Sequence, residues 1–237
     1  VYHKIAPCPA NAVRRGLYAS PELFARQLAE LRAAGFSSAT MGEACIAEDN
    51  REKRIVLSFD DGFQNVLQHA PAPLAKNGFR AIQFLLPGRL GGWNEWDAPL
   101  GEAREKLMDA AQVRDWLAAG HEIGAHSMTH PDLTKIPVAQ AREEIFASRK
   151  SLEDRFGVAV GHFCYPYGHS NETVRALVAE AGYCTACTTQ RGVNTRGTPP
   201  LEIARWTARR ASPRPKEVLA RFLDAVFNDK ARTKSPA

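Results

Sequence analysis

Ile55-Val56-Leu57-Ser58-Phe59-Asp60-Asp61-Gly62 is the stretch that decides how the rest of the chain is read. Its first five residues form an apolar run with the length and composition of a buried strand. Two adjacent carboxylates end it. Asp-Gly is a common turn pair, so one reading is a polar turn. The other is a site, because two desolvated carboxylates are costly unless a cation, a proton or a substrate compensates them. A second polar cluster, His126-Ser127-Met128-Thr129-His130, also ends an apolar stretch, and it favours the site.

Working outward, strand-like and helix-like segments alternate. Val1-Tyr2-His3 reads as the end of a first strand. Ser20-Pro21 gives an N-cap followed by proline at the first helical position; Phe24, Leu28 and Leu31 follow at helical spacing, with Gly35 as a stop. Helices are expected over 63–77, 109–119 and 137–156, the last with Ala141, Ile145, Leu152 and Phe156 on one face. Another runs through Val174, Leu177, Val178 and Ala181 to Gly182, and a last one over about 215–227. Strands are expected over 81–86, 121–125, 162–164, 183–188 and 203–207. The loop over 87–101 is rich in Gly and Trp, and the tail over 228–237 is polar and frayed. This alternation implies parallel pairing in one α/β domain over 1–227. The Asp pair, the His pair and Tyr165-Pro166-Tyr167-Gly168 each follow a candidate strand. In an α/β barrel the C-terminal strand ends form the active-site face.

With 237 residues, 44% hydrophobic and 24% charged, the chain can bury a core without staples. The net charge of +5 is scattered, which argues against nucleic-acid binding and is compatible with anionic glycans or a membrane surface. No apolar stretch nears the ~20 residues of a membrane span. Five cysteines in an irregular spread do not make a disulfide framework, and Cys184-x-x-Cys187 lacks a second pair to complete a zinc site. Unpaired cysteines and no visible signal lean toward the cytoplasm. A start at Val1 rather than Met leaves the cell envelope open.

Two neutral imidazoles and a carboxylate form a divalent-metal set that leaves positions open for water and substrate. A carboxylate of pKa about 3.9 deprotonating water of pKa ~15.7 faces a gap of about 12 units, roughly 16 kcal/mol. A cation that brings water near ~7 cuts this to about 4 kcal/mol. One Asp on the metal and the other beside the activated water is therefore the expected division of labour, and hydrolysis of an amide or ester the expected chemistry.

These three motifs, in this order, resemble those of the polysaccharide deacetylases, carbohydrate esterase family four. The likeness covers nearly the whole chain, including Tyr2-His3, Gly120-His-Glu-Ile-Gly124 and Asn94-Glu-Trp-Asp97. It implies an irregular (β/α) barrel, one divalent ion (zinc first; cobalt, nickel, iron or manganese as alternatives), and removal of acetyl groups from N-acetylated glycans. Residue by residue, it implies Asp60 as general base, Asp61, His126 and His130 as metal ligands, and the Tyr167 backbone N–H as oxyanion donor.

The chain departs from the family twice. Many members carry an Arg, which orients the base, where this chain has Cys164; Arg205 is the candidate substitute, since a thiol cannot replace a bidentate guanidinium. The late Leu-x-His that supplies the general acid is missing, which leaves His3, and behind it His169, as candidates. Trp93 and Trp96 are expected either to stack on a sugar or to form a lid, and Tyr165 and Pro166 to line the substrate. His121, His162, Trp116 and Trp206 are expected to pack. Two other readings compete: the same site acting on a small non-sugar amide, and a non-catalytic glycan-binding module.

Overall fold

The computed structural model describes residues 1–46, 53–195 and 197–208. The strands in chain order are β1 (Lys4–Ile5), β2 (Tyr18–Ala19), β3 (Ser37–Ser38), β4 (Arg54–Ile55), β5 (Leu57–Phe59), β6 (Ala81–Leu85), β7 (Glu122–Ala125), β8 (His162–Cys164) and β9 (Thr185–Cys187). The helices are α1 (Pro21–Ala33), α2 (Met41–Ile46), α3 (Gln64–His69), α4 (Pro71–Asn77), α5 (Ala110–Ala118), α6 (Val138–Phe156) and α7 (Glu172–Glu180).

Local chemistry sets the helix ends. Ser20 accepts from Leu23 N at the start of α1, Asp109 and Gln112 form a reciprocal capping box on α5, and Asn171 accepts from Val174 N on α7. Gly157 closes α6 in the left-handed conformation, at φ 67°.

β5 to β9 form one parallel sheet in sequential order, β5-β6-β7-β8-β9. Tyr2 bridges in parallel to Phe59 on one edge and Ile203 to Cys187 on the other. Ala208 N donates to Val1 O at 2.9 Å, so the two edges meet and curl the sheet into an irregular barrel. Alternate residues divide between two layers. Phe59, Leu85, Ile123, Ala125 and Phe163 face the helices in the main core, while Ile82, Phe84, Cys164 and Cys187 fill the concave side. Gly124 is what admits Phe84: a Cβ there would lie 2.6 Å from the Phe84 ring and 2.8 Å from His162 O. Gly124→Ala is expected to cost about 1–3 kcal/mol by overpacking. Thermal denaturation reads this as a Tm drop of several degrees, and an unchanged Tm would refute the close contact.

Four expectations are corrected. The helix over 63–77 is two helices, because Pro71 has no N–H to continue α3 and starts α4 instead. The run over 55–59 is split at Val56, with β4 pairing to β3 and β5 to β6. The strand expected over 203–207 makes one ladder bridge, at Ile203. The strand expected over 183–188 is confined to Thr185–Cys187. The helix over 215–227 and the tail over 228–237 lie outside the described residues. Among the described residues no helix is long and apolar enough to cross a membrane.

Candidate active site

The three motifs meet where the strands end. Asp60 and Asp61 follow β5, His126 follows β7, and Tyr165-Pro166-Tyr167-Gly168 follows β8. Asp60, Asp61, His126 and His130 are all buried, with 2–5% of their surface exposed. His126 to His130 is a tight turn rather than helix. Among the described residues, the non-glycine residues with positive φ are Asp61 (73°), Ser127 (67°), His130 (73°) and Tyr167 (60°). Each such backbone costs about 1–3 kcal/mol and persists only where its surroundings over-determine it. All four fall in the three motifs.

Asp61 Oδ1 lies 3.3 Å from His126 Nε2 and 3.5 Å from His130 Nε2. Tetrahedral ligands about 2.1 Å from a zinc ion are about 3.4 Å apart, so this set fits a divalent cation. His126 Nδ1 donates to Cys164 O at 2.7 Å, which leaves Nε2 facing Asp61 as the ring atom that a cation would take in exchange for its proton. Burial pushes the His126 imidazole down, but the neighbouring Cys164 and Asp61 groups raise it well above the usual histidine range. Burial takes His130 down to about 3, so it is held neutral. His130 Nδ1 has no hydrogen-bond partner among the described residues. Rings hold it instead: Trp96 stacks on it at 4.7 Å and Tyr167 meets it edge-on at 4.6 Å.

Asp60 stands beside this set, clamped by Arg205. Nη1 and Nη2 donate to the two Asp60 carboxylate oxygens at 2.8 Å each. The other guanidinium donors reach Thr188 O (3.0 Å), Ser58 Oγ (3.3 Å) and Cys164 Sγ (3.1 Å). Burial pushes the Asp60 carboxyl up, but the Arg205 charge and its hydrogen bonds override this and hold it well below the usual carboxylate range. Segment 203–208 carries Arg205, with Arg205 N donating to Gln190 O at 2.8 Å and Ile203 N to Ala186 O at 2.9 Å.

His3 Nε2 is 3.8 Å from Asp60 Oδ2, and burial holds this imidazole below the usual histidine range. His169 is elsewhere, exposed and paired with Asp132 at 2.9 Å. Trp93 lies under the Arg104 guanidinium at 4.4 Å, and Trp96 turns one face to His130. Tyr165 is corrected: it is fully buried, its ring edge-on to Phe163 and its hydroxyl donating to Leu201 O at 3.1 Å. Pro166 is buried as well. The Cys-x-x-Cys pair is also divided, with Cys184 exposed and Cys187 buried, its thiol pushed up to about 12.

Sequence reading missed Glu144, which bonds to the His126–His130 turn. The signal was present: it sits three residues after Ala141 and one before Ile145, a charged residue on the core stripe of α6.

The profile described as polysaccharide deacetylase matches residues 47–186. The putative polysaccharide deacetylase YxkH of Bacillus subtilis is 25% identical over 166 residues, 68% of this chain and 55% of that protein. The peptidoglycan-N-acetylglucosamine deacetylase PgdA of Listeria monocytogenes is 28% identical over 139 residues, 58% of this chain and 26% of that protein. The chain thus spans about half or less of these curated relatives. Among solved structures, the deacetylase PplD of Streptococcus pyogenes superposes with a TM-score of 0.78 at 23% identity, over 92% of this chain and 94% of that one, which supports the barrel fold.

Proposed function

The chain belongs to the polysaccharide deacetylase family, and from that premise we propose that it is a divalent-metal hydrolase removing acetyl groups from the N-acetylated sugars of a glycan. The observation that carries the reading is the convergence of Asp61, His126 and His130 donors beside the Asp60–Arg205 pair at the strand ends. Asp61, His126 and His130 would hold the ion, which would supply Lewis acidity for acidifying water and polarising a carbonyl oxygen.

The protein's own groups do the rest. Asp60 accepts the proton of the attacking water; both oxygens bond to Arg205, and Oδ2 also accepts from the Cys164 thiol at 3.6 Å, so Oδ1 is the oxygen that keeps a lone pair free. The Tyr167 N–H, fixed by the strained turn, donates to the oxygen that gains negative charge. The amine leaving group needs a proton. His3 rests neutral, so it delivers one only after receiving it, and Asp60, 3.8 Å away and beyond hydrogen-bond reach, hands it over only when the two groups draw together or through a water.

The test is acetate release from N-acetylated oligosaccharides, with metal analysis of the same sample. Acetate is expected together with about one bound divalent ion per chain, activity being lost to a chelator and restored by zinc or cobalt. Metal-loaded protein that binds saccharide without releasing acetate would make it a glycan-binding module. Turnover of simple amides alone would move the substrate class.

A further inference from the structure

We propose that Glu144 is a positioning residue that sets the metal affinity of the His126–His130 turn. The proposal rests on the reading of that turn as metal-binding. The turn leaves β7 with His126 N donating to Leu85 O at 2.8 Å, and Ser127 Oγ accepts from His130 N at 3.0 Å. These bonds join the turn to the strands and to itself. They leave the backbone between the two imidazoles to be fixed from outside.

Glu144, 8% exposed on α6, does this. Its Oε2 accepts from Met128 N at 2.8 Å and from Thr129 N at 2.9 Å, and its Oε1 from the Thr129 hydroxyl at 2.6 Å. On the other side Gly88 N donates to Met128 O at 3.1 Å, in a contact so close that a Cβ on Gly88 would lie 2.8 Å from that oxygen. Met128 is therefore gripped from α6 and from the loop after β6, and Thr129 from α6.

Ser127 and His130 hold left-handed backbones that a free turn abandons. Each abandoned conformer moves His130 Nε2 away from Asp61 and His126. Apparent metal affinity falls by the fraction of molecules whose turn is competent. Charge-assisted bonds to N–H groups are stronger than neutral ones, so a carboxylate suits this clamp better than an amide would.

Zinc affinity is measured by chelator competition on the apo-proteins of wild type, Glu144→Gln, Glu144→Ala and Thr129→Val, with the apo Tm of each. Glu144→Ala is expected to weaken zinc binding about 10- to 100-fold, the range for loss of groups that orient metal ligands. Glu144→Gln and Thr129→Val are expected to fall between it and wild type, with kcat recovering at saturating zinc. Should Glu144→Ala fail to fold, the other two variants carry the test. A folded Glu144→Gln whose zinc Kd matches wild type while its apo Tm drops shows a purely structural role and overturns the proposal. A wild type that takes up no zinc overturns the metal reading itself.

Discussion

Asp60→Asn is expected to lower kcat by about 10²–10⁴-fold while the protein keeps its metal. The amide has no basic oxygen to take a proton from water, whereas Asp61, His126 and His130 retain their donors and their 3.3 and 3.5 Å spacings. The variant should also lose stability. Arg205 is buried, and the amide offers it one acceptor oxygen in place of two and turns an NH₂ group toward one of its arms. Leaving a buried charge without its partner costs about 3–5 kcal/mol, and retention of one hydrogen bond recovers part of this. Steady-state acetate release, metal content and Tm on one preparation separate the effects. A variant within about tenfold of wild type in kcat, with metal bound, would place the base elsewhere.

The Arg205 clamp creates a tension in this role. A carboxyl held below the usual range is a weaker base, and the gap to bulk water, already about 12 units for an ordinary Asp, widens. Asp60 can accept the proton only from water that has been strongly acidified. On the proposed role of Asp60, Arg205 would trade basicity for orientation, which is worthwhile when positioning limits the step.

What was legible in the sequence was whatever is written locally. Apolar runs ending in Asp60-Asp61 and at His126 mark strand ends by period and polarity alone, and those ends do converge. What was not legible is carried by contacts remote in sequence. Arg205 meets Asp60 across 145 residues. It was reachable only because Cys164 could not play the expected part. Trp96 reads from the sequence as a residue that stacks on a sugar or forms a lid, and nothing local says that its ring lies on His130. The Tyr165 error was avoidable. Phe163, Cys164 and Tyr165 follow one another on and beyond β8, so if Cys164 faces the concave side, alternation sends Tyr165 to the helices with Phe163. The break between α3 and α4 was likewise written at Pro71. The left-handed backbones of Ser127, His130 and Tyr167 carry no sequence signature, because none of these residues favours that region as glycine does.

Arg205→Met should separate orientation from charge, and the pH dependence of its stability carries a sign that can be worked out. In the wild type the folded Asp60 carboxyl lies below its unfolded value of about 3.9. Its pairing therefore contributes stability above that pH, and the contribution is lost as the pH falls toward the folded value. Without Arg205, burial is the dominant influence, and it raises the carboxyl above 3.9. The sign then reverses: the buried group favours the folded state below 3.9 and costs stability as the pH rises through its raised value. The stability gap between wild type and Arg205→Met should be largest at neutral pH, about 3–5 kcal/mol, and should narrow toward pH ~4, where the unpaired carboxyl is protonated at little cost. Thermal denaturation of both proteins in chelator, at neutral and acid pH, checks this. A gap that does not change with pH would mean that Arg205 stabilises by packing against Phe84, 5.8 Å from its ring, rather than through Asp60. Arg205→Lys restores a cation but not the fork that grips both oxygens, so it should recover much of the stability while kcat stays about 10²-fold down.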